Sequence, residues 1–211
     1  MENMTRRDRE KLLREEEIVS AAEKVFLEKG FEAASMDEIA RAAQFTKRTL
    51  YQYFENKEDL YFAVVLKGFK KLFAYLAEAV DDKQCGFTRI EQTCRGYYRF
   101  FKENPDTFRT FSYWGHVKKK ADAGSKKKYE LAEFNNLMFK SVAGVIDEGK
   151  ADGSIKPGLD SDKAAFSLVF MLTGFMNQLS ATGENFTKHF SLDIEDFSAY
   201  SIDLMLETLK R

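Results

Sequence analysis

The stretch SMDEIARAAQFTKRTLYQYFENK, residues 35–57, decides the fold. Ser35 followed by Glu38 has the spacing of a capping box, in which two side chains satisfy amides at a helix start. It opens a short helix whose inner face is Ile39, Ala40 and Ala43, with alanines small enough to let a second helix cross closely. Thr46 has the chemistry of an N-cap, and the short helix behind it turns Leu50 and Phe54 inward. Two short helices joined by a tight turn, the second carrying hydroxyls, cations and amides outward, make a helix-turn-helix. The outward positions are Thr46, Lys47, Arg48, Thr49, Tyr51, Gln52 and Tyr53. Lysine and arginine can donate to guanine O6 and N7, and Gln52 can make a paired contact with adenine. Hydroxyls suit phosphate oxygens. Residues 41–57 hold four basic side chains (Arg41, Lys47, Arg48, Lys57) against one acid, Glu55, whereas residues 1–60 hold eleven against fourteen. Positive charge is thus focused on one edge, as a groove-reading element requires.

Upstream, Ile18, Ala21, Ala22, Val25 and Phe26 recur at helical spacing, and Gly30 stands where a left-handed C-terminal cap belongs. Residues 1–14 alternate bases with acids and read as a flexible charged arm. Arg6, Arg7, Arg9, Lys11 and Arg14 suit either a minor groove and its phosphates or a solvated tail. Downstream, Asn56 caps a longer helix whose stripe of Leu60, Val64, Phe69, Leu72, Phe73 and Leu76 runs to about Val80. Further helices follow over about 87–103, from Pro105, over 128–150, from Ser161 to about Ala181, and over 193–209. A lysine-rich loop lies at 118–128, and a turn-rich connection holds Gly149, Gly153, Pro157 and Gly158. Two prolines and twelve glycines in 211 residues leave room for an all-α protein.

The run Ser35 to Ala43 and the run Thr46 to Leu60, with Leu50-Tyr51, Tyr53-Phe54 and Lys57 in register, resemble the signature of TetR-family regulators over roughly residues 14–62. Residues 147–157 resemble, more weakly, the connection before that family's dimerisation helices. The resemblance implies an N-terminal three-helix helix-turn-helix domain joined by a long fourth helix to a helical ligand-binding and dimerisation domain. The divisions expected are 1–14 for the arm, 15–62 for DNA binding and 63–211 for sensing and dimerisation. It further implies that Lys47, Arg48, Thr49, Gln52 and Tyr53 face bases, and that Ser35, Thr46, Tyr51 and Lys57 hold phosphates. Gln44 departs from the family, which usually has glycine in that turn. If the turn stays left-handed there, glutamine costs about 1 kcal/mol, with Phe45 compensating by packing underneath; the alternative is a reshaped turn.

Much of the aromatic load falls between Phe87 and Phe190. Each such residue alone reads as core, while together an aromatic and methionine-rich core suits an adaptable apolar pocket. The resemblance implies a small-molecule effector there, and an apolar or aromatic one suits Phe101, Phe111, Trp114, His116, Phe134, Met138, Phe170 and Phe175. Arg99, Arg109 and Asn135 are further polar candidates. The last helix carries Ile194, Phe197, Ser201, Leu204 and Thr208 at heptad-like spacing, and the helix before it is apolar almost all round. Together they can build a four-helix bundle across a two-fold axis, with Phe175, Leu179, Ile194, Phe197 and Leu204 at the seam. A homodimer of this kind places its reading helices about 34–36 Å apart, on successive major grooves of a palindromic operator in double-stranded DNA.

Net charge is −1, which excludes a protein that coats nucleic acid indiscriminately. No signal peptide is expected. The most apolar stretch, Phe166 to Leu179, is short and holds Thr173, Asn177 and Gln178, so a cytoplasmic protein without a membrane partner is expected. Cys85 and Cys94 have no metal-site spacing, and two histidines without a serine–histidine, metal or phosphate-loop pattern make an enzyme a poor rival. No catalytic residue, metal or cofactor is expected. The remaining alternative is a ligand-sensing helical module that acts through a protein partner. The direction of control, a repressor relieved by its ligand, follows from the resemblance alone.

Overall fold

Long runs without proline let successive amides donate to helical carbonyls, and among the described residues the chain forms nine helices and no strand. The computed structural model describes residues 5–120 and 125–211, without the side chains of residues 112–116 and 118–120. The helices are α1 (Arg6–Ala33), α2 (Met36–Ala42), α3 (Lys47–Tyr51), α4 (Lys57–Ala79), α5 (Gly86–Glu103), α6 (Pro105–Lys120), α7 (Lys126–Ala151), α8 (Ser161–His189) and α9 (Ile194–Glu207). They divide into two compact units, Met1–Phe69 with Arg109–Glu133 and Lys70–Phe108 with Phe134–Arg211. Helices α4, α6 and α7 each contribute a segment to both.

The first unit is built around Ile18, Ala22, Ile39, Leu50, Leu60, Phe62 and Val65, all fully buried. Phe26, Phe31 and Tyr61 close one side as an aromatic triangle with centroids 5.1–5.8 Å apart. The Tyr61 hydroxyl donates to the Thr110 carbonyl at 2.7 Å, which satisfies a polar tip inside the core. The arm expected to be loose over residues 1–14 is helical from Arg6 onward. Thr5 and Asp8 form a capping box, and the alternating charges set Arg6 and Glu10 one turn apart as a 2.9 Å ion pair. Gly30 takes φ +76° and ψ 163°, so it kinks α1 rather than capping it, and a last turn follows.

The second unit packs around Ile90, Phe100, Phe108, Ile146, Met176 and Ile202. Helix α5 crosses α7 closely enough that a Cβ on Gly86 would lie 2.4 Å from the Gly149 backbone. The start of α5 is satisfied from the turn after α7: the Asp152 carboxylate accepts from the Gly86 amide at 2.7 Å, and the Ser154 hydroxyl accepts from Phe87 at 3.0 Å. Helix α8 continues past the expected end near Ala181, because Ser191 (φ +54°) supplies the terminating left-handed residue only there. Its buried line is Leu168, Leu172, Met176, Leu179 and Gly183, while Phe166, Phe170 and Met171 remain exposed. By length and composition alone α8 could cross a membrane, with mean hydropathy 1.3 over eighteen residues, a longer apolar reach than the stretch 166–179 suggests.

Candidate nucleic-acid interface

The turn between α2 and α3 is closed by a left-handed residue at Gln44, φ +58°. The Gln44 amide donates to Arg41 O at 3.1 Å and the Phe45 amide to Ala40 O at 2.9 Å, the paired bonds of a Schellman motif. The turn therefore keeps the geometry that glycine adopts freely, with glutamine in its place, and Phe45 lies half-buried. Both helices begin on side-chain caps. Ser35 and Glu38 cap α2 reciprocally, and the Thr46 hydroxyl accepts from the Thr49 amide at 3.1 Å. The Lys29 ammonium meets Glu38 at 2.5 Å, and its donation together with those of Ser35 holds the Glu38 carboxyl down at about 2.

Helix α3 has five residues, shorter than the spacing suggests, so Gln52 is its C-cap and Tyr53 lies in the following turn. Lys47, Arg48 and Gln52 are exposed, Tyr51 is 49% exposed, and Thr49 and Tyr53 are half-buried. The residues expected to face bases thus share one end of the unit, with Leu50 and Phe54 buried beneath them. Lys47 donates to Asp37 at 2.7 Å, and this carboxylate raises the lysine above its ordinary range. Asp37 was not singled out from sequence. Its position at the second residue of α2, ten before Lys47, was the available signal.

Lys57, which the resemblance places on a phosphate, is engaged within its own unit. Its ammonium donates to the carbonyls of Phe31, Glu32 and Ala34 at 2.7, 3.2 and 2.8 Å and sits 4.5 Å from the Phe31 ring centroid. All three donors are used in closing the C-terminus of α1. Two residues on, Asp59 is 3% exposed and accepts from the Ser125 hydroxyl at 2.7 Å and the Lys127 amide at 3.1 Å, which ties the first turn of α7 to that of α4. The Lys127 ammonium in turn meets Glu15 at 2.7 Å. Reading the sequence did not find this node, since residues 125–127 sit in a lysine-rich run that resembles a solvated loop.

Of the eight side chains expected around a ligand, six lie among the described residues. Phe111 is buried in the first unit, stacked on Phe69 at 4.3 Å. In the second unit Phe101 lies edge-on to Phe108, Phe134 edge-on to Phe73, and Phe175 beside Phe197. Met138 is half-buried, and Phe170 is 71% exposed. The side chains of Trp114 and His116 lie outside the described residues. A cavity of about 260 Å³ in the second unit is bounded instead by α8 and the C-terminal end, with Leu159, Leu168, Met171 and Leu209 in its wall. Of the expected seam, Leu204 is 60% exposed, Phe175, Ile194 and Phe197 are half-buried, and Leu179 is buried inside its own unit. The larger exposed apolar area on α8 and α9 comes from Phe170, Phe166 and Tyr200 together with Leu204.

Residues 18–64 match the family model of bacterial regulatory proteins of the tetR family. The HTH-type transcriptional activator FasR of Mycolicibacterium smegmatis is 30% identical over 93 residues, 44% of this chain and 42% of FasR, so the match spans less than half of that relative. The HTH-type transcriptional regulator YhgD of Bacillus subtilis is 26% identical over 163 residues, 77% of this chain and 79% of YhgD. Among solved structures, a tetR-family regulatory protein from Rhodococcus RHA1 superposes with a TM-score of 0.68 at 21% identity, covering 93% of this chain and 97% of that one. FadR from Bacillus subtilis, solved with stearoyl-CoA, gives 0.67 at 19% identity, covering 90% and 97%. These relatives are named as regulators and not as enzymes. A capped α2, a left-handed turn and an exposed α3 within residues 18–64 make that segment similar to the tetR family of bacterial regulatory proteins, and the all-helical chain shares the fold of tetR-family structures over nearly its whole length.

Proposed function

We propose that the chain is a sequence-specific DNA-binding transcriptional regulator that works as a homodimer in the cytoplasm and reads a palindromic operator. The observation that carries this reading is α3, held by caps and a buried underside with Lys47, Arg48 and Gln52 exposed as a major groove requires. Thr49 and Tyr53 complete the base-facing set, and Ser35, Thr46 and Tyr51 supply hydroxyls for phosphates. Residues 15–62 form the DNA-binding part and 63–211 the sensing and pairing part. Lys47 reaches DNA by exchanging Asp37 for a base or phosphate, a small cost for an exposed pair.

A small apolar effector relieves repression in this reading. Its class is supported by the aromatic second unit and by two fold neighbours, FadR bound to stearoyl-CoA and the ketosteroid regulator KstR2 of Mycobacterium tuberculosis. Helices α4, α6 and α7, which belong to both units, are the material through which an effector alters the reading head. A coupling of 1–3 kcal/mol corresponds to roughly 5–150-fold in operator affinity. Selection of genomic DNA fragments by the purified protein tests the proposal. A recovered near-palindrome, released on adding a long-chain acyl thioester or sterol, supports it. Recovery of fragments without any shared sequence overturns it.

A further inference from the structure

Helix α1 overhangs its own domain. Its buried line runs through Ile18, Ala22 and Val25, which are 0–7% exposed and lie against the helix-turn-helix. Continued toward the N-terminus at the same three- and four-residue spacing, that line passes through Arg14, Lys11 and Arg7. Where a helix prepared to pack on protein would present apolar side chains, this one presents three cations. Leu12 and Leu13, 46% and 53% exposed, lie off this line. The overhang is well formed: Thr5 and Asp8 cap it, and Arg6 pairs with Glu10.

The cationic line borders a cleft of about 640 Å³ walled by Arg7, Asp8, Glu10, Lys11 and Arg14 from α1 and by Gln52 and Tyr53 from the end of α3. The two acids in that wall are engaged. Asp8 accepts from the Thr5 hydroxyl at 2.6 Å, which lowers its carboxyl below the usual range, and Glu10 accepts from Arg6 at 2.9 Å. Arg7, Lys11 and Arg14 form no hydrogen bond or ion pair among the described residues. The cleft therefore offers three cations on a rigid rod, none of them held in a hydrogen bond or ion pair among the described residues although Arg7 and Lys11 feel the nearby Asp8 charge, directly beside the residues proposed to meet bases.

We infer that this overhang is a second DNA-binding element, a phosphate clamp in which Arg7, Lys11 and Arg14 grip the operator strand flanking the groove that α3 enters. The inference rests on the DNA-reading role of α3. The line spans about 10 Å at 1.5 Å per residue, roughly three nucleotide steps of one strand. Phosphate contacts fix register without reading sequence, so the clamp supplies affinity and orientation while α3 supplies discrimination. It also accounts for a capped, ordered helix where an unneeded charged tail would remain solvated.

The test is operator binding across a salt series by the full-length protein. The triple variant Arg7→Gln, Lys11→Gln, Arg14→Gln keeps good helix formers and is compared with a charge-matched triple off the line, Arg6→Gln, Arg9→Gln, Lys24→Gln. Circular dichroism and a melting curve confirm that both variants are folded. Loss of three phosphate contacts flattens the dependence of log K on log salt by about 2.7 per protomer. The stripe variant is expected to show that change and to weaken all DNA sequences alike, with site preference intact. Equal slopes for the two triples overturn the clamp, while a wild-type protein that still selects its site through Lys47 and Arg48 leaves the α3 reading standing. A wild-type protein that selects no site overturns both.

Discussion

At the scale of single residues, Gln44 and Lys57 teach opposite lessons. The sequence left two outcomes open at Gln44, a left-handed turn or a reshaped one, and the structure keeps the left-handed turn at φ +58°. Replacing Gln44 by glycine removes a Cβ from φ +58° and is expected to stabilise the protein by about 1 kcal/mol, read from the urea midpoint at unchanged slope. Lys57 could not be assigned from sequence, since a lysine after an asparagine cap is equally suited to phosphate and to carbonyl oxygens. The structure gives its ammonium to three carbonyls at the end of α1. Lys57→Met leaves those carbonyls without their donor, and a loss of about 1–3 kcal/mol in unfolding free energy is expected. A pure phosphate role instead predicts unchanged stability and weaker DNA binding.

At the scale of elements, α2 depends on a carboxylate held far below its ordinary 4.5, to about 2, first by the Lys29 ammonium and then by Ser35. A depressed folded-state value means that the cap stabilises fully above the unfolded value and loses that contribution as pH falls toward 2. Acid unfolding between pH 4.5 and 2 is therefore expected to be shallower in Glu38→Gln, as followed by helical ellipticity. Identical curves for the two proteins would contradict the assignment. The helices themselves were readable from caps, spacing and proline, but their ends were not. Helix α3 stops at Tyr51 although its apolar spacing runs on to Phe54, and α8 reaches His189 because its terminating left-handed residue is a serine, which carries little signal. The order of residues 6–14 was hidden for a related reason: alternating charge describes a solvated tail and a capped helix equally well.

At the scale of the whole molecule, α8 and α9 each bury one face in their own unit and leave Phe166, Phe170, Tyr200 and Leu204 exposed at 45%, 71%, 68% and 60%. So much aromatic and aliphatic area on two helices is the signature of a surface meant to be covered. The double variant Phe170→Glu, Leu204→Glu is expected to sediment as a monomer and to lose operator binding more than tenfold, because each half-site then binds alone. A dimer of unchanged stability would place the seam elsewhere. The sequence announced that α8 is buried on two sides, but which residues face which side depends on helical phase over 29 residues, so that Phe170 is 71% exposed and Leu179 buried was not legible. The ligand site was least legible, since an aromatic side chain filling a core and one lining a pocket leave the same mark on a sequence.

The central claim is that α3 reads sequence. The most direct measurement is competition at about 0.15 M salt between the selected site and random duplex DNA, for wild type and for the Lys47→Ala, Arg48→Ala double variant. A preference of at least about a thousandfold in wild type, collapsing toward unity in the folded double variant, is the result predicted here. A wild-type preference near unity, or one that the double variant retains, would contradict it.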